Sequence, residues 1–495
     1  MFMKHLTSIE KNPVTWFLFC LSFVFFLLRL PSFFEPYWYG DEGIYEVIGY
    51  ALNHGRFLYQ GIWDNKPPFL YLIYGLFDGS QQPVRIFSFL IGVASIWVFF
   101  FLSKLLFKSR AIAFTTTAVY AFLLATPILE GNIANAENFM VLPTVTAGLL
   151  VAWVTEKRNQ HEKLLLFLAG MLLSCSFLLK VVGVFDMGAF TCFLFIILYE
   201  DIKHLIQTLF YCIPIVAGFV LPIFLTALFF ILNHAFSSFI QATLFSNVGY
   251  VNYGNQVYIP FTHHVIPQGF LLLKTVLLLT FAAFLFLRRT YVSHSGMFVW
   301  LWLAFALYSA LFSGRGYTHY ILIAVPSFSL FLGTIANSKK MKGLLAIIGV
   351  VVFAFCLSNF PVYNYTFGYY QNFLAFAWGN KNLVAYRSFF DKVNPRDYDI
   401  AAYINTHRKQ GQRVFLWGNS GQIYRLTNTL PPGRFIVAYH MTMTAKNYAE
   451  TQAVLLRTKP DLIVIFPNQD SLPYSLYGYQ ERLVINGVFI YEHAF

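Results

Sequence analysis

The chain has 495 residues, of which 58% are hydrophobic and only 11% are charged. A soluble protein carries roughly a quarter of charged residues, so the composition excludes an ordinary soluble domain. The net charge is +12, but the basic residues collect at the ends of apolar runs. That distribution indicates membrane topology and argues against a nucleic-acid partner.

Apolar runs recur along the first three quarters of the chain, each long enough to cross a hydrocarbon core of about 30 Å. They are continuous and do not alternate with period two, so they predict membrane helices. The first run is predicted to be an uncleaved span, because no small-residue cleavage site follows it. The predicted spans cover residues 14–30, 83–107, 111–128, 138–154, 163–179, 184–199, 206–232, 268–287, 296–312, 318–336 and 343–359.

The connections between these spans differ in charge. Alternate connections carry Lys and Arg, whereas the long connection 233–267 has none. The positive-inside rule therefore predicts a cytoplasmic N-terminus. An odd number of spans then places the C-terminal residues outside the cytoplasm. The expected location is the cytoplasmic (inner) membrane, with an extracytoplasmic or periplasmic C-terminal domain.

The C-terminal residues 361–495 are more polar and alternate between short strand and helix patterns, which predicts a small α/β domain. We therefore expect a transmembrane catalytic domain over 1–360, including an outer loop 31–82 with interfacial helices, and an extracytoplasmic domain over 361–495. The predicted strands are RVFLWG (413–418), RFIVAY (434–439) and DLIVIF (461–466), and the predicted helices are 399–410 and 445–458.

The outer loop after the first span carries the most informative run, EGIYEVIGYALNHG, which directly follows Asp41. Its apolar residues recur at helical spacing, so it is predicted to form a helix lying in the membrane interface. Asp41 and Tyr45 are four residues apart and share a face near its start. Lys66 stands before Pro67 and Pro68, which stiffen the backbone. A lysine held there can neutralise an anion near the lipid headgroups.

Further ionisable residues lie at the predicted outer ends of other spans: Glu137, Lys180, His263, His264, Arg315 and His319. Charged groups at membrane depth are costly and indicate a function. Carboxylates and cations at one interface suit a reaction with an anionic lipid leaving group. The carboxylate takes a proton from an acceptor hydroxyl, and the cations stabilise the departing phosphate, with a divalent metal left open as a cofactor.

Four runs together resemble a known family: GDEGIYEVIGYALNHGRFLYQGIWDNKPP, NAENF, FLLKVVG and SGRGYTHYILIAVP. The chain is similar to the GT-C fold glycosyltransferases that use lipid-phosphate sugars, and closest to protein O-mannosyltransferases and lipid A aminoarabinose transferases. The resemblance covers most of residues 10–360. It implies a polytopic helical membrane protein of about eleven spans with a C-terminal extracytoplasmic α/β domain.

The resemblance also implies an activity. The chain is expected to be a hexosyl- or pentosyltransferase that moves a sugar from a polyprenyl-phosphate donor to a protein, lipid or glycan hydroxyl outside the cytoplasm. The transfer is expected to invert the configuration at the anomeric carbon of the sugar. The expected partners are the lipid-linked sugar, the acceptor and membrane lipids.

The family implies roles for individual residues. Asp41 falls on the catalytic aspartate, and Glu137 falls near the second acidic position. Tyr45, Lys66 and Arg315 match positions that contact the donor or its phosphate. We group Lys180 and His319 with these donor-binding residues.

Two positions depart from the aminoarabinose branch. Asn65 replaces a glutamate that helps to hold a metal, and Ile44 replaces an arginine. Both departures weigh against aminoarabinose as the sugar. His263 and His264 then stay as candidate metal ligands.

Two other functions stay open: a transporter or flippase for lipid-linked sugars, and a non-catalytic protein of cell-envelope assembly. A transporter would need charges near the bilayer midplane and paired halves, and the sequence shows no clear repeat. Structural roles are open as well. Asp41 could cap a helix, and Lys66 and Lys180 could extend to the headgroups.

Overall fold

The computed structural model describes residues 12–157, 160–258, 265–266, 268–337, 362–467 and 469–494. His263, His264 and the predicted span 343–359 lie outside the described residues.

The chain divides into two compact units, which we name by content. The helical unit comprises Met1–Ser32, Phe87–Phe229 and Phe245–Phe367. The α/β unit comprises Phe33–Ile86, Phe230–Leu244 and Gly368–Phe495. The connection after the first span thus folds together with the C-terminal residues. The functional division into domains 1–360 and 361–495 stays a prediction.

Helices dominate the fold. In chain order they are α1 (Pro13–Arg29), α2 (Gly40–Asn53), α3 (Pro68–Leu76), α4 (Gln81–Phe107), α5 (Arg110–Ala125), α6 (Ala136–Glu156), α7 (Glu162–Leu179), α8 (Val184–Leu198), α9 (Leu205–Leu232), α10 (Phe236–Ile240), α11 (Ser246–Gly254), α12 (Gly269–Leu287), α13 (His294–Leu311), α14 (Val325–Asn337), α15 (Val362–Ala377), α16 (Leu383–Phe390), α17 (Asn394–His407), α18 (Gln422–Leu426), α19 (Ala438–Thr442) and α20 (Ala445–Thr458). Short 3₁₀ turns include Val181–Gly183 and Thr318–Ala324, and Gln241–Phe245 is a π-helical turn.

Nine helical segments within the described residues are long and apolar enough to cross a membrane. They coincide with nine of the predicted spans. The predicted span 111–128 corresponds to the shorter apolar helix α5. The prediction of a polytopic helical membrane protein is therefore confirmed, and the chain is an integral membrane protein.

Local sequence explains where several helices begin. Asn12 accepts a hydrogen bond from the Val14 backbone N–H at 3.0 Å, and Pro13 occupies the first helical position of α1. Both features favour a helix start, since they satisfy or remove a donor that lacks a partner. Ser109, Asn382 and Thr444 cap α5, α16 and α20 through the same side-chain contact.

The helical unit packs around a large apolar core. The rings of Phe99 and Tyr120 stack at 4.4 Å, and Phe190 stacks on Phe298 at 5.4 Å. Helices α7 and α9 approach so closely that their glycines meet the backbone of the other helix. A Cβ atom at Gly170 would lie 2.0 Å from the Ile215 carbonyl oxygen. Small residues at such crossings are typical of membrane helices.

The α/β unit contains a four-stranded sheet. Its strands are β3 (Val414–Trp417), β4 (Leu462–Ile465), β5 (Tyr479–Ile485) and β6 (Val488–His493), in the order β3-β4-β6-β5. Strands β3 and β4 are parallel, and the other pairs are antiparallel. A further short antiparallel pair joins β1 (Val257–Tyr258) to β2 (Val265–Ile266) in the helical unit.

The predicted strands at 413–418 and 461–466 are confirmed, as are the helices at 399–410 and 445–458. The strand predicted over 434–439 is wrong: residues 434–437 form a loop and α19 begins at Ala438. The apolar side chains of this segment are buried by packing. Its backbone forms single hydrogen bonds to other segments, for example from the Trp63 N–H to the Arg434 carbonyl. The β5–β6 hairpin was not predicted. Its turn, Asn486–Gly487, has positive φ at both residues, as a tight hairpin requires.

Replacing Gly170 with alanine tests the α7–α9 crossing. We expect the Gly170→Ala protein to be destabilised by about 1–3 kcal/mol, because the new methyl group forces two helix backbones apart. Gly249→Ala is the matched control, since a Cβ there would meet nothing within 4 Å. Thermal unfolding of the detergent-purified proteins measures both. Equal melting temperatures for the two variants would contradict the described contact.

Candidate active site

The α/β unit places the Lys66 ammonium between two carboxylates. Its Nζ atom lies 3.4 Å from Asp41 Oδ2 and 4.0 Å from Asp64 Oδ2. Asp41 also accepts a hydrogen bond from Tyr45 Oη at 2.9 Å, and Lys66 Nζ lies 4.7 Å from the centre of the Tyr45 ring. The sequence-predicted residues Asp41, Tyr45 and Lys66 are therefore brought together.

The three charged groups differ in exposure. The Asp64 side chain is 3% exposed, whereas Lys66 is 20% and Asp41 is 38% exposed. Asp64 is thus a buried counter-charge, and Asp41 is the carboxylate that solvent or a bound molecule can reach.

Two buried tyrosines hold the backbone of Lys66. The Lys66 N–H donates to Tyr71 Oη at 3.1 Å, and Tyr71 Oη donates to Asp64 Oδ2 at 2.7 Å. Tyr59 Oη donates to the Lys66 carbonyl at 2.7 Å. Burial and the charge of Asp64 raise the pKa of both phenols well above the usual value, so both remain donors. With Pro67 and Pro68 following, the lysine stands on a restrained backbone.

A buried ion-pair group positions α2, the helix that carries Asp41. Arg85 donates to Glu42 through both Nε and Nη2, and its Nη1 lies 3.0 Å from Glu35 Oε2. All three side chains are at most 1% exposed. Glu35 also accepts from Tyr369 Oη at 2.6 Å. This group joins α2 to the start of α4 and to α15.

Glu46, one turn after Glu42, is buried as well. Neither of its carboxylate oxygens has a hydrogen-bond partner among the described residues. Burial and the charge of Glu42 raise the pKa of Glu46 well above the usual value. This shift favours the neutral form of Glu46, which is not repelled by Glu42. The charged partners of Arg85 are then Glu35 and Glu42 alone among these three acids.

The C-terminal residues reach the same cluster through His440 in α19. Its Nε2 lies 3.4 Å from Asp64 Oδ1, and its ring meets the Trp63 ring edge-on at 4.9 Å. Burial lowers the pKa of His440 to about 4, against the opposing attraction of Asp64. The imidazole is therefore neutral near pH 7.

Loop 430–436 braces the segment that leads to Lys66. Arg56 donates to the carbonyls of Pro431 and Gly433 at 3.1 and 3.4 Å. Arg434 donates to the Tyr59 carbonyl at 3.2 Å and forms a bidentate pair with Glu450. The C-terminal residues thus support the lysine loop directly.

The helical unit holds a second charge cluster. Glu137, in the first turn of α6, accepts a hydrogen bond from Lys180 Nζ. Lys180 follows the last residue of α7, and its ammonium lies 3.8 Å from the centre of the Tyr320 ring. Both charges are largely buried, at 2% and 14% exposure. The structure thus brings the predicted site residues Glu137 and Lys180 into contact.

His319 lies in the same unit but contacts a different acid. Its Nδ1 is 2.9 Å from Glu130 Oε2, and Thr318 Oγ1 donates to the other oxygen of Glu130. Arg315 is half-buried in the preceding loop, where its backbone N–H donates to Ser313 Oγ at 3.2 Å.

The described residues around Lys66 do not fit a divalent metal. The Lys66 ammonium already lies between Asp41 and Asp64, and Asn65, between Asp64 and Lys66 in the chain, offers only a neutral amide. Across the described part of the chain, no three His, Cys, Asp or Glu side chains are grouped to hold a metal. The predicted ligands His263 and His264 fall outside that part.

Comparison with solved structures finds a similar fold in ArnT from Cupriavidus metallidurans, bound to undecaprenyl phosphate. The identity is 14% and the TM-score 0.59, over 97% of this chain and 98% of that one. AglB from Archaeoglobus fulgidus, an oligosaccharyltransferase in complex with an inhibitory peptide and a dolichol-phosphate, has 13% identity and TM-score 0.47, over 92% and 70%. No family model matches the sequence, and no curated protein matches it significantly. The likeness to ArnT confirms the predicted GT-C fold.

Several residues of the two clusters were missed by sequence reasoning: Tyr59, Asp64, Tyr71, Glu130, Tyr320 and His440. Asp64 had a usable signal, since an acid two residues before Lys66 places a counter-charge near it. His440 had none, because it belongs to a distant segment that was predicted to be a strand.

Removing Arg85 tests the buried ion-pair group. We expect Arg85→Met to lower the free energy of unfolding by about 3–5 kcal/mol, because two buried carboxylates lose their cation. Arg482→Met is the matched control. Its pair with Glu492 is exposed, so its loss should cost less than about 1 kcal/mol. Thermal unfolding measures both, and a control as unstable as Arg85→Met would refute the expectation.

The lowered pKa of His440 predicts a pH dependence of stability. An unfolded histidine takes up a proton near pH 6.5, whereas the folded one resists until about pH 4. The folded state therefore loses about 2 kcal/mol of stability from this group between pH 7.5 and 5.

His440→Gln should remove that part of the pH dependence, and His407→Gln, at an exposed histidine, should retain it. Melting temperatures at the two pH values report the difference. The assignment fails if His440→Gln and wild type lose equal stability on acidification.

Proposed function

We propose that this protein is a membrane glycosyltransferase that moves a sugar from a polyprenyl-phosphate donor to an acceptor hydroxyl outside the cytoplasm. The observation that carries the proposal is the Lys66 ammonium held between buried Asp64 and accessible Asp41. The fold shared with ArnT supports it. That ArnT was solved with undecaprenyl phosphate supports the class of donor.

Lys66 binds the donor phosphate. Asp64, Tyr71 and Tyr59 lie on the buried side of the lysine, and Asp41 lies on its accessible side. An arriving phosphate competes with Asp41 for the ammonium, since both are oxygen anions. Donor binding therefore releases Asp41 from Lys66. As the sugar leaves, charge grows on the phosphate, and the fixed ammonium stabilises that charge.

Asp41 then serves the acceptor. The acceptor hydroxyl oxygen attacks the anomeric carbon, the bond from that carbon to the phosphate oxygen breaks, and the hydroxyl proton passes to Asp41. A single displacement of this kind inverts the configuration at the anomeric carbon. Tyr45 donates a hydrogen bond to Asp41, which directs the carboxylate. The products are the glycosylated acceptor and free polyprenyl phosphate.

The helical-unit residues Glu137, Lys180, Arg315 and His319 are assigned to the same activity by proposal. The buried Lys180–Glu137 pair supports this, because a buried ion pair contributes little net stability and is often functional at membrane depth. The expected orientation has a cytoplasmic N-terminus in the inner membrane and the α/β unit outside. The sugar and the acceptor stay open.

Asp41→Asn tests the catalytic assignment. We expect turnover to fall at least about 100-fold, because the amide cannot accept the proton. Donor affinity should change by no more than a few fold. Release of free polyprenyl phosphate, with a membrane extract as acceptor source, measures turnover, and titration with donor measures affinity.

Asp78→Asn is the control for this experiment, since Asp78 is an exposed carboxylate of the same unit. Its turnover should equal that of wild type. Undiminished release by Asp41→Asn would overturn the role of Asp41, and no release by wild type from any lipid-linked sugar would overturn the proposed reaction.

Lys66→Met tests phosphate recognition. The donor dissociation constant should rise about 10- to 100-fold, since a charge-assisted contact is worth about 1.5–3 kcal/mol. Lys66→Arg retains the charge and should recover part of the affinity. Lys392→Met, at an exposed lysine of the same unit, should leave the dissociation constant unchanged. Unchanged donor affinity in a folded Lys66→Met protein would exclude this role.

A further inference from the structure

Helices α15 and α16 expose an apolar surface on the α/β unit. Four large side chains form it, with exposed fractions of 43% for Leu374, 72% for Trp378, 46% for Leu383 and 61% for Val384. We call these four residues the apolar ridge. Four large apolar side chains exposed within eleven residues of the chain favour an apolar partner.

The opposite side of the same helices is firmly anchored. Asn372 and Tyr386 are 3% and 1% exposed. The Phe373 ring lies 5.6 Å from the Phe34 ring, and the Phe376 ring stacks on Tyr386 at 4.3 Å. The exposure of the ridge therefore belongs to a packed element and not to a loose end.

The anchors of α15 are the ends of two membrane spans. The first span ends at Phe33, and Phe34, the next residue, contacts Phe373. The following span begins at Gln81, whose side-chain amide donates to the Glu35 carbonyl at 2.9 Å. Glu35 accepts from Tyr369 of α15 and pairs with Arg85 of that span. Helix α15 is thus bonded at the level where both spans leave the membrane.

Composition also fits a position at the membrane surface. Trp378 has the amphipathic ring that is enriched at membrane interfaces. Residues 378–393 carry three basic side chains, Lys381, Arg387 and Lys392, and one acidic side chain, Asp391. That excess favours anionic headgroups.

We propose that the apolar ridge of α15 and α16 lies in the lipid headgroup layer and binds the bilayer surface. Trp378, Leu383 and Val384 contact the upper acyl chains. The α/β unit is thereby fixed to the membrane at a second place besides the ends of its spans.

Spin labels test the position of the ridge. Trp378→Cys and Val384→Cys are made in the full-length chain with its five native cysteines replaced by alanine, and are labelled and reconstituted into vesicles of phosphatidylcholine and phosphatidylglycerol. Tyr477→Cys is the matched control, since Tyr477 is 95% exposed on the same unit. Collisions with oxygen, which concentrates in lipid, are compared with collisions with a water-soluble nickel chelate.

Labels at 378 and 384 should collide more with oxygen than with the chelate, and the label at 477 should show the reverse. Preference for the chelate at 378 and 384 overturns the proposal. So does low collision with both reagents, which would mean that protein covers the ridge. Quenching by brominated lipids, compared between wild type and Trp378→Phe, gives the same answer without cysteine variants. Neither measurement needs a substrate, so the outcome is independent of the proposed reaction.

Discussion

The site depends on keeping one ammonium group charged and fixed in a place that is mostly shielded from water. Shielding a lysine disfavours its charged form unless opposite charges lie near it. Asp64 supplies one such charge from the buried side, and Asp41 supplies another from the accessible side. The two tyrosines that bond the Lys66 backbone fix the point from which its side chain extends. An entering anion therefore binds where the ammonium lies. It displaces Asp41, whose carboxylate can then act on the acceptor hydroxyl.

The surrounding structure serves that arrangement at two further levels. The Arg85 group fixes α2 by burying one cation between two carboxylates, so the position of Asp41 is tied to the start of a membrane span. A buried ion pair contributes little net stability but is costly to break, which suits a constraint on geometry. The C-terminal residues add loop 430–436 and His440 behind the lysine loop. They thus form part of the support of the candidate site and not a separate appendage.

Much of this could be predicted from the sequence, because membrane spans and the helix at Asp41 depend on local periodicity. The pairing of Asp41, Tyr45 and Lys66 also followed from short-range spacing and the family resemblance. His440 and the brace at Arg434 could not be predicted, since their contacts join segments hundreds of residues apart. The strand predicted for the run RFIVAY was wrong for a related reason. Its apolar side chains are buried by tertiary packing, and both a strand and a loop allow such burial. Glu130 was not assigned a role because its partner His319 lies 189 residues away in the chain.

The most direct measurement is a structure of the protein with polyprenyl phosphate bound, determined by electron cryomicroscopy in a lipid nanodisc. We expect a phosphate oxygen within hydrogen-bonding distance of Lys66 Nζ. We also expect the separation of Lys66 Nζ and Asp41 Oδ2 to grow beyond 3.4 Å. A phosphate bound away from Lys66, with the Lys66–Asp41 pair intact, would contradict the role proposed for Lys66.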